Sequence, residues 1–456
     1  MKREHLWAHH ERNLTSHWSL AEGGYASRMS VRQGETITLH ISNSRSYYDI
    51  FVFREGGQRQ LMTTIPLQRG QLHSIPQDGY CEGFGWPPTV ELAVGDDWPS
   101  GVYIAAFASG QGPREILFVV RPCQPRSPAL LTIAANTYAA YNNVGGKCFY
   151  DFFSTDRQRC DLVSFQRPLQ SGVMGNFHFW DQFFTSWADA EGYAIDYAVN
   201  ADHEAEPGLL QSYKANIRIG HDEYNTIDEC RQLQQFVRGG GNLLLFAGNS
   251  FYHEVEYRQD RHQLYCQKPH YHDPPMPGEK TQMLSHQDDL RQNTIGVFYT
   301  GFVHAKTEDP DVFIAPITEG YGGYCVTDAD HWVFAGTGLR SGDPFGLEDS
   351  IAGVEVDAAE IEFVDGQPRY TGRDGVSPDY RIVALCDCIV QNDRVMNRRS
   401  QGRGDMAKTF GTIALNETQF KGVVFNAATI EWGHGLNCDD SVVAKITRNV
   451  LNRLAR

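Results

Sequence analysis

Three short stretches of the chain gather side chains that could bind a hard cation and move protons. NTYAAYNNVGGKCFYDF, residues 136–152, carries Tyr138, Tyr141, Asn142 and Tyr150, with Gly145 and Gly146 permitting a tight backbone bend. GHDEYN, residues 220–225, carries His221, Asp222, Glu223 and Tyr224, and GNSFYHE, residues 248–254, carries Asn249, Tyr252 and His253. Phenol and carboxylate oxygens are hard donors. Imidazole and carboxylate groups exchange protons near neutral pH, and amides orient carbonyl groups. Taken singly, each residue also has a plain structural reading: tyrosine as amphipathic packing, Glu223 or Asp222 at a helix start, Asn249 in a turn.

What positions these stretches is the pattern of elements around them. ALLTIAA (129–135), YAIDYAVN (193–200), ANIRIG (215–220) and NLLLFAGN (242–249) are short apolar runs ending in turn residues. FWDQFFTSWADAEG and TIDECRQLQQFVRGGG lie between them with helical spacing, and Gly239 to Gly241 suit a left-handed helix end. Alternating strand and helix predicts an α/β fold: a mostly parallel sheet flanked by helices, with ligands beyond the carboxyl ends of its strands. All three polar stretches follow such ends. Ahead of them, residues 25–121 read as short alternating strands of a β-sandwich, and RPCQPRSP (121–128) reads as a linker. The expected domains are therefore an N-terminal β-sandwich over 1–124 and an α/β catalytic domain over 125–456. A long irregular insertion is expected around 253–300.

Composition removes several function classes. A formal charge of -16 opposes nucleic acid and anionic lipid as partners. No apolar run approaches a membrane span, and the start MKREHLWAHHERN lacks the apolar core of a signal peptide, so a cytoplasmic location is expected. The 10 cysteines lack paired spacing and read as thiols, with Cys386 and Cys388 on one face of a strand. His262, His270, His272, His286 and His304 show no regular zinc spacing. No glycine run is placed as a phosphate loop, and no G-x-S-x-G elbow occurs, leaving Ser164 and Ser250 as weak nucleophile candidates.

Five motifs in order add a resemblance: EGGYASRMSVRQGETITLHIS, TYAAYNNVGGKCFYDF, GHDEYN with FVRGGGNLLLFAGNSFY, GVEVD and FNAATIEW. Across nearly its whole length the chain resembles the large (beta) subunit family of N,N-dimethylformamidase. That resemblance implies a mononuclear ferric iron held by two tyrosines and one glutamate, hydrolysing a small amide to an acid and an amine. Carried over by motif, the metal ligands are Tyr141, Tyr150 and Glu223, with Tyr138 the alternative to Tyr141. His221 and Asn249 match polar residues beside the metal, and Glu355 of GVEVD matches the acid–base candidate. Three protein ligands leave open positions, and a water bound there is acidified. The implied partners are a small-molecule amide, further copies of the chain and a small companion subunit. Family members named for dimethylformamide hydrolysis carry an extra β-domain for which this chain has no room, so the family indicates the reaction better than the substrate. Two other readings are kept: a glutamine-amidotransferase-like enzyme using a cysteine nucleophile, Cys148 being nearest, and a non-catalytic binding protein on the same fold.

Overall fold

The computed structural model describes residues 21–169, 175–268, 294–297, 299–301, 304–306, 314–316, 322–373, 375–391, 406–436 and 441–456. They form two compact units, one comprising residues 21–206 and 255–266, the other 207–254 and the described residues from 267 onward. Most of the expected insertion, including His270, His272 and His286, lies outside the described residues, as does Cys438.

The first unit begins as a β-sandwich. One sheet orders Gly23–Ala26, Thr36–Ser42 and Val90–Ala93. The other orders Ser30–Arg32, Gly112–Arg121, Gly101–Ser109, Tyr47–Arg54 and Gln60–Arg69. Alternation makes the two faces: along Tyr47–Arg54, Tyr48, Ile50 and Val52 are buried while Tyr47, Asp49 and Phe51 are exposed. The inward residues join Ile37, Leu39, Tyr103 and Phe118 in one core shared by both sheets. Beyond the sandwich, Ala129–Ile133 pairs in parallel with Ile195–Val199. Helix Ala135–Tyr141 follows the first of these strands directly.

The second unit corrects the expected fold class. Its sheet orders Ala215–His221, Asn242–Gly248, Val424–Asn426, Met406–Asn416, Arg381–Gln391, Tyr324–Val326 and Pro344–Phe345. The first three strands are parallel. Every later pairing on this path is antiparallel. Strand outweighs helix, 36% to 21%, and the sheets are mixed and antiparallel. The chain is therefore mostly β-sheet and not a mostly parallel α/β fold flanked by helices. The reason is physical. Ile382–Cys386 and Gly411–Asn416 are buried on both faces almost throughout, so they read as the continuous apolar runs of parallel strands. Burial on two faces, however, carries no information about strand direction.

Local signals fared differently. Helix Ile227–Gly239 is capped by Thr226, whose hydroxyl accepts from the Glu229 amide, and ends at Gly240 with φ 113°. No helix among the described residues is long and apolar enough to cross a membrane. Cys81, Cys123, Cys160, Cys230, Cys386 and Cys388 are free thiols, and burial raises the thiol pKa of Cys386 and Cys388, as expected of packing residues.

Candidate functional site

The candidate side chains fall into two groups, one in each compact unit. In the second unit, His221 ends its strand opposite Gly248, so His221 and Asn249 leave the parallel strands at one level. Asn249 and Phe251 take positive φ values of 47° and 54°. Asparagine tolerates that region, whereas for a residue as bulky as phenylalanine it is strained. Hydrogen bonds fix the turn: the Phe251 amide donates to the Asp222 carbonyl at 2.9 Å, and the Tyr252 and His253 amides donate to the Glu223 carbonyl at 3.0 and 2.9 Å.

Glu355 arrives by a different route. A Cβ on Gly248 would lie 2.5 Å from the Ile430 backbone nitrogen, so only glycine lets segment 429–430 pass this strand. That segment bridges to Val356 through Thr429. The Asp357 amide donates to the Ala428 carbonyl at 2.8 Å, and Ile430 to the Glu355 carbonyl at 3.3 Å. The late motifs GVEVD and FNAATIEW thus pair with each other at the end of the parallel strands.

Four polar side chains then converge. His221 Nε2 lies 2.9 Å from Glu355 Oε2 and 3.4 Å from Glu223 Oε2. Asn249 Nδ2 donates to Glu355 Oε2 at 3.2 Å and sits 3.5 Å from His221 Nε2. Two carboxylates facing one imidazole in a dry site repel unless a proton or cation lies between them. The Glu355 side chain keeps 12% of its surface exposed against 4% for Glu223, so Glu355 is the acid better placed to meet a substrate.

The structure adds residues to which sequence reasoning gave no role. His253 Nε2 lies 3.4 Å from the other oxygen of Glu223, and its ring stacks on Tyr224 at 5.0 Å. Glu223 is thereby held between two imidazoles. Arg218 is wholly buried, its Nη1 reaching Asp222 Oδ2 at 2.9 Å and Glu229 Oε1 at 2.8 Å, its Nε donating to Asn216 Oδ1 at 2.8 Å. Asn225 Nδ2 donates to Asp222 Oδ1 at 3.0 Å. Burial alone would depress the guanidinium, but Glu229 and Asp222 outweigh it and the pKa of Arg218 is raised. The available signal was a cation inside the apolar run ANIRIG, which a buried strand carries only when it is paired.

In the first unit, Tyr141 ends helix Ala135–Tyr141 and Tyr150 precedes the short helix Asp151–Phe153. Between them the chain turns through Gly145 and Gly146, with φ 89° and 102°. The phenol of Tyr150 donates to that of Tyr141 at 2.5 Å, and the rings stack with centroids 4.2 Å apart. Both are 5% exposed. Tyr138 instead donates its hydroxyl to Asp181. Arg167, 1% exposed, clasps the loop through backbone carbonyls: Nη1 to Val144 at 2.7 Å and Lys147 at 3.0 Å, Nε to Ser164 at 3.0 Å, Nη2 to Ala139 at 3.4 Å. Burial pushes its pKa down to about 10.

Among the described residues, no group of three or more His, Cys, Asp or Glu side chains is arranged to hold a metal. A metal site built from described residues would need further donors, and two adjacent phenol oxygens are hard donors of the right kind for ferric iron. Cys148 is buried and accepts from the Tyr150 amide at 3.4 Å. Trp180, Phe251 and Trp432 are all buried, and Trp432 donates its indole N–H to Thr447 at 3.0 Å.

The chain belongs to the family described as N,N-dimethylformamidase beta subunit-like, C-terminal, whose family model matches residues 50–445, most of the chain. No match to a curated protein was found.

Proposed function

We propose, with membership of this family as the premise, that the protein hydrolyses the C–N bond of a small N-substituted amide, giving a carboxylic acid and an amine. The proposed cofactor is a mononuclear ferric iron, for which the family resemblance implies Tyr141, Tyr150 and Glu223 as ligands. Tyr141 is preferred to Tyr138 because it shares a hydrogen bond with Tyr150 while Tyr138 is engaged by Asp181. The family's description names a beta subunit, which is consistent with a companion subunit as partner.

The observation that carries the reading is the meeting of Glu355, His221 and Asn249 beside Glu223. When bound, iron would supply a Lewis acid that polarises the amide carbonyl and acidifies water. Glu355 Oε2 accepts a proton from the attacking water as its oxygen bonds to the carbonyl carbon. It then delivers that proton to the amide nitrogen as the C–N bond breaks, so the amine leaves neutral. His221, 2.9 Å from the same oxygen, stabilises Glu355 in whichever charge state the step leaves it. Asn249 donates one N–H to the Glu355 carboxylate, and its other N–H orients the substrate oxygen. His221 and His253, on opposite oxygens of Glu223, fix the direction of that carboxylate.

The test combines elemental analysis, visible spectroscopy and a panel of N-alkyl amides that includes N,N-dimethylformamide. Iron-bound tyrosinate absorbs visible light, so coloured, iron-containing protein is expected, and colourless protein free of iron would overturn the reading. Glu355→Gln should lower kcat about 10²–10⁴-fold with iron content unchanged.

A further inference from the structure

We propose that Arg218 is a positioning residue that locks the two catalytic loops to each other. This inference rests on the reading above and deepens it. One guanidinium reaches three segments. It binds Asp222, between His221 and Glu223, at 2.9 Å, and it binds Glu229 of helix Ile227–Gly239 at 2.8 Å. It also lies over the ring of Phe251, 5.5 Å from the centroid, in the loop that carries Asn249 and His253.

Phe251 is the residue whose backbone most needs holding, because its left-handed conformation persists only where surroundings over-determine it. The Asp222 carbonyl binds the Phe251 amide while the Asp222 carboxylate binds Arg218. Asp222 therefore ties the strained turn to the cation through both its backbone and its side chain. Glu223 follows Asp222 directly, and Asn249 stands two residues before Phe251 in the same turn. Their spacing is set by a group that touches neither substrate nor metal.

The planar fork is what makes this possible. A lysine ammonium would keep the charge but could not engage Asp222, Glu229 and Asn216 in fixed directions at once. Asp222→Asn is the milder test, since it leaves Arg218 with Glu229, one charge of each sign, and preserves side-chain volume. Arg218→Lys is the second variant.

Both variants should unfold cooperatively with native circular dichroism. Amide hydrogen exchange should speed up in 221–225 and 249–253 together, with the ladder between Ile382–Cys388 and Thr409–Ala414 unchanged. Iron affinity, and kcat on N,N-dimethylformamide or the best amide of the panel, should fall about 10–100-fold with KM little changed. Unchanged exchange in either loop, or unchanged iron affinity and kcat, would overturn the proposal. If the wild-type protein carries no iron, the functional reading fails on its own, and exchange alone decides: both loops opening together supports the positioning role, one or neither refutes it.

Discussion

Arg218 and Arg167 are both wholly buried, yet among the described residues one faces two carboxylates and the other backbone carbonyls. Their proton affinities diverge accordingly. The Arg218 pKa is raised because Glu229 and Asp222 overcome the effect of burial, whereas burial pushes the Arg167 pKa down to about 10. Around Arg218 the charge itself is part of the architecture, since without it two anions would stand in a dry interior. Around Arg167 the charge opposes folding, and what stabilises is the directed array of N–H donors that gathers residues 139, 144, 147 and 164 about the tyrosine loop. A buried arginine can thus serve as a counter-ion or as a bracket, and its partners tell which.

The largest effect should come from Arg218→Met. Removing one partner of a buried ion network costs about 3–5 kcal/mol, a large part of the stability of an ordinary domain. Urea unfolding should show that loss, and a change below about 1 kcal/mol would mean the carboxylates are neutralised by protons rather than by Arg218. Arg167→Met should cost less, about 2 kcal/mol, because carbonyls lose their donors but a buried charge that no described carboxylate pairs disappears with them. If Arg167→Met proved the more damaging, the contrast between counter-ion and bracket would fail.

How far the sequence reveals these arrangements depends on range. The cap at Thr226 and the left-handed stop at Gly240 are local chemistry and can be read directly. So can the glycine bend at Gly145 and Gly146, because positive φ needs no distant partner to explain it. Glu355 is grouped with His221 and Asn249 through the family resemblance alone, because spacing does not join them, Glu355 being carried in by the 428–430 segment. Strand direction in Arg381–Gln391 and Met406–Asn416 was not legible, since the same apolar run suits either orientation when both faces are covered. Arg218 was visible as an odd cation in a strand, but its two acids lie in a loop and a helix, and no local rule joins them.

A surface pair sets the lower end of the scale. His178 Nε2 and Glu115 Oε2 meet at 2.8 Å with side chains 41% and 38% exposed. The hydrogen bond to His178, with Arg59 adding to it against a smaller opposing effect of burial, lowers the Glu115 pKa from 4.5 to about 2. The bond to Glu115 raises the pKa of His178 above 6.5. The signs bracket a window. Glu115 contributes stability above pH 4.5 that is lost as pH falls toward 2, and His178 contributes below pH 6.5 what is lost as pH rises through its folded pKa. The pair is therefore strongest between pH 4.5 and 6.5. Solvent screening holds its worth to about 0.5 kcal/mol, so His178→Gln should narrow the stability difference between pH 5.5 and pH 8 by about that much. A loss above about 2 kcal/mol in urea titrations would show that an exposed pair can rival the buried Arg218 network, and that burial is not what separates them.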